Sequence, residues 1–542
     1  MNKTLLVASA SGLLALSSLA GTATVKMNPG ENWWGAANFF GTKMPFTEKT
    51  ELRIDLRRDN YHNQCASLLV SDQGRVVQAL FTLKDGTITV EAASDVVVEK
   101  AGASLPEAYR HAMRKWFPAS GKMPDPLFFS APQINTWIEL TYHQNEKDIL
   151  KYAQAMLDNG VPAGVLMIDD TWQAGYGDWR FEPTRFRDPK GMMDRLHAMG
   201  YKVMLWMCPY VGMDIPAFRR IAWGTNPDDV KGYPVKGGFL AEKGKRPAAN
   251  GRVAAKPCHW WNGISAFLDF SHPNANAWFT ETLDGLVRDY GVDGFKLDGA
   301  DLTAYNLDTC EALDPKATNG SLNNGYAAYA LKYPFCEIRN LWRLQQMPVV
   351  VRLHDKPHTW EALRRITADM IAAGLIGQPF ICPDMVGGGE WTTFIPGSPF
   401  EPDLFVRSAQ IHALCPMMQF SASPWRILDA ERQKIVRDTV ALRQKFAPLF
   451  VELARKAAVD GEPILRSLEY NYPNQGYAAV IDAFMMGTDL LVAPQMDKGA
   501  ATRTVVVPPG TWTADDGTTV VGPKTVTVAT PLSRLPHFVR AK

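Results

Sequence analysis

The sequence predicts an α/β protein in which a (β/α)8 barrel lies between two antiparallel β-sandwiches. Between residues 126 and 460, eight short apolar runs alternate with segments of helical spacing, which is typical of buried parallel strands in a closed barrel. Residues 24–125 and 461–542 instead contain alternating runs separated by Asp- and Gly-containing turns, which is typical of antiparallel sandwiches. An open doubly wound sheet is the alternative, but no Gly-rich phosphate loop follows an early strand.

The predicted barrel strands are the most continuous apolar runs of the central region. Segments with helical spacing lie between them, as in Asn145–Asn159 and Asn274–Tyr290. In the outer regions, the predicted strands include Glu51–Arg57 near the start and Pro463–Tyr472 near the end. The eight predicted barrel strands are Ile134–Leu140, Val165–Asp169, Lys202–Met207, Ala266–Phe270, Gly294–Asp298, Val349–Leu353, Pro379–Pro383 and Met417–Ser421.

Composition excludes several classes of partner. The 542 residues include 57 basic and 56 acidic side chains without a basic block, which argues against nucleic acid or an anionic membrane as the main partner. Sixteen Trp residues suit the apolar faces of sugar rings, although most Trp residues fill cores. A glycoside is therefore the expected partner, and the oligomeric state is left open.

Residues 1–23 are predicted to be an export signal. Lys3 provides the positive start, Leu5–Ala20 is a short apolar run, and small residues follow as a cleavage site. The run is too short and too rich in Ser and Gly for a good membrane span, so we expect a periplasmic or secreted mature protein. An uncleaved N-terminal anchor is the competing interpretation.

The seven cysteines are scattered, odd in number and without a C-x-x-C spacing. This pattern indicates neither a zinc site nor a dense disulfide framework. A single bridge, such as Cys310 with Cys336, is compatible with an oxidising compartment but is not established by the sequence.

Carboxylates follow four of the predicted barrel strands. Barrel enzymes carry their catalytic groups at the carboxyl ends of the strands, and an unpaired charge next to an apolar run is otherwise costly. Lys296 and Arg352 lie close to two of these carboxylates and are predicted, with Asp384, to contact substrate. An ion pair is the alternative for Arg352, and a turn residue for Asp384. The carboxylates are Asp169 and Asp170 at the end of the second strand, Asp298 at the end of the fifth, Asp355 after the sixth and Asp384 after the seventh.

This set of carboxylates suits glycoside hydrolysis. The retaining reaction needs one carboxylate as nucleophile and a second carboxyl group as proton donor, about 5–5.5 Å apart. If the fifth and sixth predicted strands are neighbours, about 4.8 Å apart, Asp298 and Asp355 could meet that distance. Lys296 would point to the same side as Asp298 and keep it ionised, whereas Asp355 would start the cycle protonated. Helix capping is the alternative for each.

The same residues resemble glycoside hydrolase family 31, the retaining α-glycosidases. Gly291–Asp298, Gly-Val-Asp-Gly-Phe-Lys-Leu-Asp, is similar to the nucleophile motif of that family, and Arg352–Asp355 is similar to its acid/base segment. Leu375–Phe380, Asp384–Gly387 and Met486–Pro494 are also similar to segments of that family. The resemblance implies a (β/α)8 barrel with Asp298 as nucleophile and Asp355 as general acid/base, without a metal or organic cofactor.

One departure points to a branch of the family. Typical family α-glucosidases have Trp-x-Gly-Asp around the acid/base, where this chain has Arg-Leu-His-Asp. Trp260–Gly263, Trp-Trp-Asn-Gly, is similar to a branch with bacterial α-galactosidase-like members. That resemblance implies sugar contacts for Trp261 and Arg339.

A second resemblance concerns the sugar. Asp169-Asp170-Thr171-Trp172 followed by Gly177–Trp179 is similar to the motif of α-galactosidases in families 27 and 36, where adjacent Asp residues accept hydrogen bonds from O4 and O6 of galactose. Charged acceptors bind hydroxyls strongly and directionally, so α-galactose is the predicted sugar. Glucose, xylose and N-acetylgalactosamine are the alternatives. Trp206, at the end of the third strand, is predicted to form a pocket wall, with core packing as the alternative.

Two functions of other classes remain open. A carbohydrate-binding barrel that lost turnover would keep the fold, but the presence of both carboxylates argues against it. A metal-dependent hydrolase would need His ligands at the strand ends, where the sequence offers only His354.

Overall fold

The computed structural model describes residues 5–6, 14–15, 22–56, 58–78, 81–84, 86–91, 97–223, 237–246, 253–395 and 397–541. The predicted export signal, residues 1–23, lies outside the described residues except at 5–6, 14–15 and 22–23. In the described part of the chain, no helix has the length and apolar character needed to cross a membrane.

The central region forms a parallel eight-stranded barrel, so the predicted fold class is confirmed. Neighbouring strands pair in the order β7-β6-β5-β4-β3-β2-β1-β8. β7 and β8, at the two ends of this order, are linked where the amide of Val386, after β7, donates to the carbonyl of Gln419 in β8 at 2.7 Å. This hydrogen bond nearly closes the barrel. The strands are β1 (Gln133–Asn135), β2 (Val165–Ile168), β3 (Lys202–Met207), β4 (Gly294–Leu297), β5 (Phe335–Ile338), β6 (Val350–Arg352), β7 (Ile381–Cys382) and β8 (Gln419–Phe420).

Helices connect most of the strands, and local capping residues set their ends. The side chain of Asn145 accepts a hydrogen bond from the amide of Asp148 and begins the first of them. The 273–290 helix begins with Pro273 and ends at Gly291, whose φ of 74° is left-handed and favours glycine. The principal helices of the barrel are Glu146–Asp158, Pro189–Ala198, Pro273–Tyr290, Asn319–Ala327, Trp360–Leu375, Pro402–Ala413 and Ala430–Asp460.

One predicted barrel strand is wrong, and one barrel strand was not predicted. The apolar run Ala266–Phe270 contributes to Gly263–Phe267, which pairs antiparallel with Pro257–Trp260 and Tyr210–Gly212 outside the barrel. The barrel strand in its place is β5, which the sequence pattern missed because Glu337 interrupts its apolar run. Burial of that charge is tolerated because Glu337 lies 3.2 Å from Arg352 and accepts a hydrogen bond from Gln419 at 2.8 Å.

Before the barrel, the chain forms two largely antiparallel sheets. The predicted strand Glu51–Arg57 is wrong: residues 51–56 are not in a strand, although Ile54 and Leu56 are buried. The alternation of polar and apolar residues in this segment reflects the burial of its apolar side chains, although the backbone does not pair with another strand. One sheet contains Leu5–Leu6, Thr22–Lys26, Phe81–Lys84 and Thr87–Glu91; the other contains Leu14–Ala15, Trp33–Ala37, Gln64–Ser71, Arg75–Gln78, Val97–Lys100 and, from the β5–β6 connection, Leu341–Trp342.

The C-terminal region is one antiparallel sheet of six strands with a hydrophobic core of its own. That core includes Trp512 and Phe538, both fully buried. The predicted strand Pro463–Tyr472 is largely wrong, because Ser467 accepts a hydrogen bond from the amide of Tyr470 and begins a helical turn. The strands are Leu465–Arg466, Phe484–Met486, Leu490–Val492, Thr502–Ala514, Thr519–Ala529 and His537–Arg540.

All seven cysteines lie in the described residues, and each is a free thiol. The suggested Cys310–Cys336 bridge is therefore absent; both thiols are buried.

Candidate active site

A cavity of about 550 Å³ lies at the carboxyl ends of the barrel strands. Most of the predicted site residues lie on its wall, although they are far apart in the sequence. Those on the wall are Asp169, Asp170, Trp206, Trp261, Lys296, Asp298, Arg339 and Asp355.

Asp298 follows β4 and is held by three hydrogen bonds. Its Oδ1 accepts from Nε of Arg339 at 2.7 Å and from the amide of Gly299 at 2.8 Å. Its Oδ2 accepts from the indole N–H of Trp206 at 3.0 Å. These donors fix the carboxylate while leaving Oδ2 with a free lone pair.

The charges around Asp298 keep it ionised. Burial alone would raise the pKa of this carboxyl, but the cations of Arg339, Lys296 and Arg352 outweigh that effect and hold the pKa well below its usual range. An ionised carboxylate with a free lone pair is suited to act as a nucleophile.

Lys296 lies on the predicted side of β4, and its charge helps to lower the pKa of Asp298, but its direct ion pair is with another carboxylate. Its Nζ lies 2.6 Å from Oδ2 of Asp169, so it pairs with the carboxylate after β2. Arg339 is the cation in contact with Asp298, and Lys296 acts on that carboxylate only from a longer distance. The sequence placed Lys296 on the correct side of β4 but could not identify which of two facing carboxylates it bonds.

Asp355 follows β6 and is the more accessible of the two predicted catalytic residues. Its Oδ1 accepts from Nη1 of Arg352 at 2.6 Å, and its side chain is 39% exposed. The same Nη1 donates to Oδ1 of Asp384 at 2.9 Å. A carboxyl group that is anchored on one oxygen and open to solvent can reach both a leaving group and a water molecule.

Arg352 and Asp384 do not occupy the predicted sugar-contact positions. Both are fully buried and neither lines the cavity. Asp384 also accepts hydrogen bonds from the amides of Lys356 and Gly389, at 2.9 and 3.2 Å. The side chains of Arg352 and Asp384 therefore hold Asp355 in position from the side away from the cavity. This role accounts for two buried charged residues at the ends of apolar strands.

The two predicted catalytic carboxylates do not follow neighbouring strands, so that prediction is wrong. Asp298 follows β4 and Asp355 follows β6, and β5 lies between these strands. Both side chains nevertheless line the same cavity at the carboxyl ends of the strands.

The adjacent carboxylates after β2 differ in their surroundings. Asp170 accepts hydrogen bonds on both oxygens, including from the hydroxyl of Tyr176 at 3.0 Å and the amide of Asn262 at 2.8 Å. Burial raises its pKa to about 6. Asp169 accepts from Lys296 and from the backbone amide of Asp170, which leaves more of its acceptor capacity open to the cavity.

Several wall residues were not found from the sequence. An aromatic group of Trp137, Tyr142 and Trp391 has ring centroids 5.4–6.4 Å apart. Trp137 was missed because its segment was predicted as strand, whereas Trp137–Leu140 is a helical turn. His62 comes from the region before the barrel and pairs with Asp301, so only the tertiary structure reveals it.

The described part of the chain contains no group of three or more His, Cys, Asp or Glu side chains placed to hold a metal ion.

Two protein-family models match the chain. The model of the glycosyl hydrolases family 31 TIM-barrel domain matches residues 130–453, and that of the family 31 C-terminal domain matches residues 461–542. The chain belongs to glycoside hydrolase family 31.

Curated proteins similar to the chain include a glycosidase and an α-xylosidase. Myogenesis-regulating glycosidase of Mus musculus is 30% identical over 426 residues, covering 77% of this chain and 57% of the mouse protein. An α-xylosidase of Emericella nidulans is 25% identical over 420 residues, covering 72% of this chain and 49% of that protein. The chain thus spans about half the length of the curated relatives it matches.

Solved structures of the family share the fold. A family 31 α-xylosidase from a soil metagenome, complexed with xylose, has a TM-score of 0.80 at 20% identity, covering 96% of this chain and 79% of that one. A Flavobacterium johnsoniae family 31 dextranase complexed with glucose has a TM-score of 0.77 at 18% identity, covering 96% of this chain and 66% of the dextranase.

Gly389→Ala should displace Asp355 from its position on the cavity wall. A Cβ at Gly389 would lie 2.7 Å from Oδ1 of Asp355 and 2.8 Å from Oδ1 of Asp384, so both carboxylates must shift. We expect kcat to fall about 10- to 100-fold, because small displacements of catalytic groups have effects of this size. Steady-state kinetics with a nitrophenyl glycoside measure it.

Gly285→Ala is the matched control for this variant. Gly285 lies within the 273–290 helix, and its added Cβ would approach only Arg288, at 3.6 Å. Its kcat should be unchanged, with stability equal or about 1 kcal/mol higher. Equal kcat in the two variants would show that Gly389 does not control Asp355.

Proposed function

We propose that the chain is a retaining exo-α-glycoside hydrolase with Asp298 as nucleophile and Asp355 as general acid/base. The observation that carries this proposal is one cavity lined by both groups in different environments. Asp298 is buried among cations, and Asp355 is half-exposed and anchored on one oxygen. Paired carboxyl groups in contrasting environments are the arrangement that acid and nucleophile roles need.

The reaction proceeds by two displacements at the anomeric carbon. Asp355 gives its proton to the leaving oxygen while an oxygen of Asp298 bonds the anomeric carbon from the opposite face. Oδ2 is the better attacking atom, since it accepts one hydrogen bond and Oδ1 accepts two. Asp355, now ionised, then takes a proton from water as that water displaces Asp298. The released sugar keeps the α configuration.

Asp355 must act as an acid in the first displacement and as a base in the second. Its Oδ1 accepts a hydrogen bond from Nη1 of Arg352, and Oδ1 of Asp384 accepts from the same Nη1. The two neighbouring carboxyl groups thus share one guanidinium donor, which anchors Asp355 on one oxygen and leaves the other free for both steps.

We further propose a terminal α-galactose as the sugar released. Asp169 supports this proposal, because it faces the cavity with unused acceptor capacity beside the Lys296 ammonium. An acceptor and a donor side by side can bond adjacent sugar hydroxyls and so distinguish the orientation of one of them. Glucose, xylose and N-acetylgalactosamine remain alternatives, and the relatives include α-xylosidases and α-glucosidases.

A panel of nitrophenyl α-glycosides tests both proposals. We expect the galactoside to give the highest kcat/KM, at least about tenfold above the glucoside and xyloside, the size that one recognised hydroxyl can contribute. NMR of the first product formed should show the α anomer. Preference for the xyloside or glucoside would contradict the sugar, a β product would contradict retention, and no turnover of any glycoside would contradict the enzymatic function.

A further inference from the structure

We propose that His62 forms the wall of the subsite for the leaving group and donates a hydrogen bond to a hydroxyl there. The inference rests on the proposed function, and adds a recognition residue that lies outside the barrel. The chemical class it selects is a hydroxylated leaving group, such as a second sugar.

The exposure of the wall residues places His62 at the opening of the cavity. The side chains of Asp169 and Asp298 are 3% and 12% exposed, whereas those of Asp355 and His62 are 39% and 62% exposed. An exo-acting enzyme binds the terminal sugar at the buried end, so the leaving group faces the opening. Asp355 must contact the leaving oxygen, and His62 lines the same outer part of the cavity.

The turn that carries His62 is fixed to the loops of both catalytic residues. The side chain of Asn60 accepts from the amide of Leu302, after β4, at 3.2 Å. The side chain of Asn63 accepts from the amide of His354, after β6, at 3.1 Å. Hydrogen bonds on both sides of His62 therefore keep the turn in register with Asp298 and Asp355.

The backbone of this turn is held in an unusual conformation. Tyr61 and His62 have φ values of 55° and 56°, in the left-handed region that non-glycine residues adopt only when their surroundings hold them there. Nη1 of Arg339, which also holds Asp298 through Nε, donates to the carbonyl of His62 at 3.3 Å. Such a conformation is consistent with a side chain that is aimed at a ligand.

The imidazole of His62 has one nitrogen available for a ligand. Its Nδ1 lies 3.0 Å from Oδ1 of Asp301, and Nε2 has no hydrogen-bond partner among the described residues. The bond with Asp301 raises the pKa of His62, which helps Nε2 to carry a proton and act as a donor. A hydroxyl oxygen of the leaving group is a matching acceptor.

The test compares two leaving groups on the same sugar. Wild type and His62→Ala are assayed with an α-galactosyl disaccharide and with α-galactosyl fluoride, whose departing fluoride has no hydroxyl. We expect kcat/KM for the disaccharide to fall about 10- to 100-fold, as for a lost hydrogen bond to a charged donor. The fluoride should change less than about twofold.

Two further variants make the result decisive. His62→Gln keeps a donor and should retain more disaccharide activity than His62→Ala, while His143→Ala, an exposed histidine off the cavity wall, should match wild type. Equal losses with both substrates would overturn the inference, because they would indicate an effect through Asp301 and Arg339 on Asp298. Unchanged disaccharide hydrolysis would also overturn it. Failure of the wild type on the fluoride would instead overturn the proposed function, and this inference with it.

Discussion

Asp298→Asn should lower kcat by roughly four orders of magnitude or more, the scale seen when a catalytic nucleophile is removed. The amide keeps the size of the side chain and can still accept from Arg339, but it cannot form the glycosyl-enzyme. Because the buried ion pair with Arg339 is weakened, we expect a lower Tm. The variant should still fold and unfold cooperatively. Nitrophenyl galactoside kinetics and a thermal melt measure the two effects separately.

Asp293→Asn provides the control at the opposite end of β4. Asp293 immediately precedes β4, at the end opposite Asp298, and accepts from His197 at 2.7 Å and Lys202 at 3.0 Å. It should lose stability and keep its kcat. If Asp298→Asn stayed within tenfold of wild type, Asp298 would not be the nucleophile.

Asp355→Ala should show a loss of activity that depends on the leaving group. Proton donation contributes about 10²- to 10⁴-fold for an alcohol that leaves poorly, so a disaccharide should lose activity on that scale. A dinitrophenyl glycoside needs little protonation, so formation of its glycosyl-enzyme should be affected much less. Kinetics across a series of leaving-group pKa values measure the difference, and equal losses would argue against the acid role.

Added azide should distinguish Asp355 from Asp298 by the anomer it produces. In Asp355→Ala the glycosyl-enzyme still forms, and azide displaces Asp298 to give an α-glycosyl azide. In Asp298→Ala azide attacks the substrate directly and gives the β-glycosyl azide. NMR of the two products tests both roles at once, and a β product from the Asp355 variant would reverse the assignment.

The sequence predicted the barrel because most of its strands are continuous apolar runs, and burial on both faces produces that pattern. It failed at β5 because a buried Glu337 is compensated by Arg352 and Gln419, which are distant in sequence. It failed at Ala266–Phe270 because an apolar run does not reveal whether its partner strand is parallel. The errors therefore arise where tertiary contacts override local pattern.

The sequence also predicted part of the candidate site. The presence of carboxylates at strand ends led to the prediction of Asp298 and Asp355, and both line the cavity at that end of the barrel. The partners of those groups were not predictable. Residues such as Arg352 and Asp384 differ from wall residues only in the direction and burial of their side chains, which the order of residues along a strand does not specify.

The strand Leu341–Trp342 has a consequence for engineering. It leaves the barrel between β5 and β6 and pairs with Gln64–Ser71, so the barrel completes the sheet that precedes it. An excised barrel would lose this pairing and, with it, the anchoring of its β5–β6 crossover, while the remaining sheet would expose an unpaired edge prone to aggregation. Chimeras between relatives should therefore exchange the barrel and the sheets that precede it together.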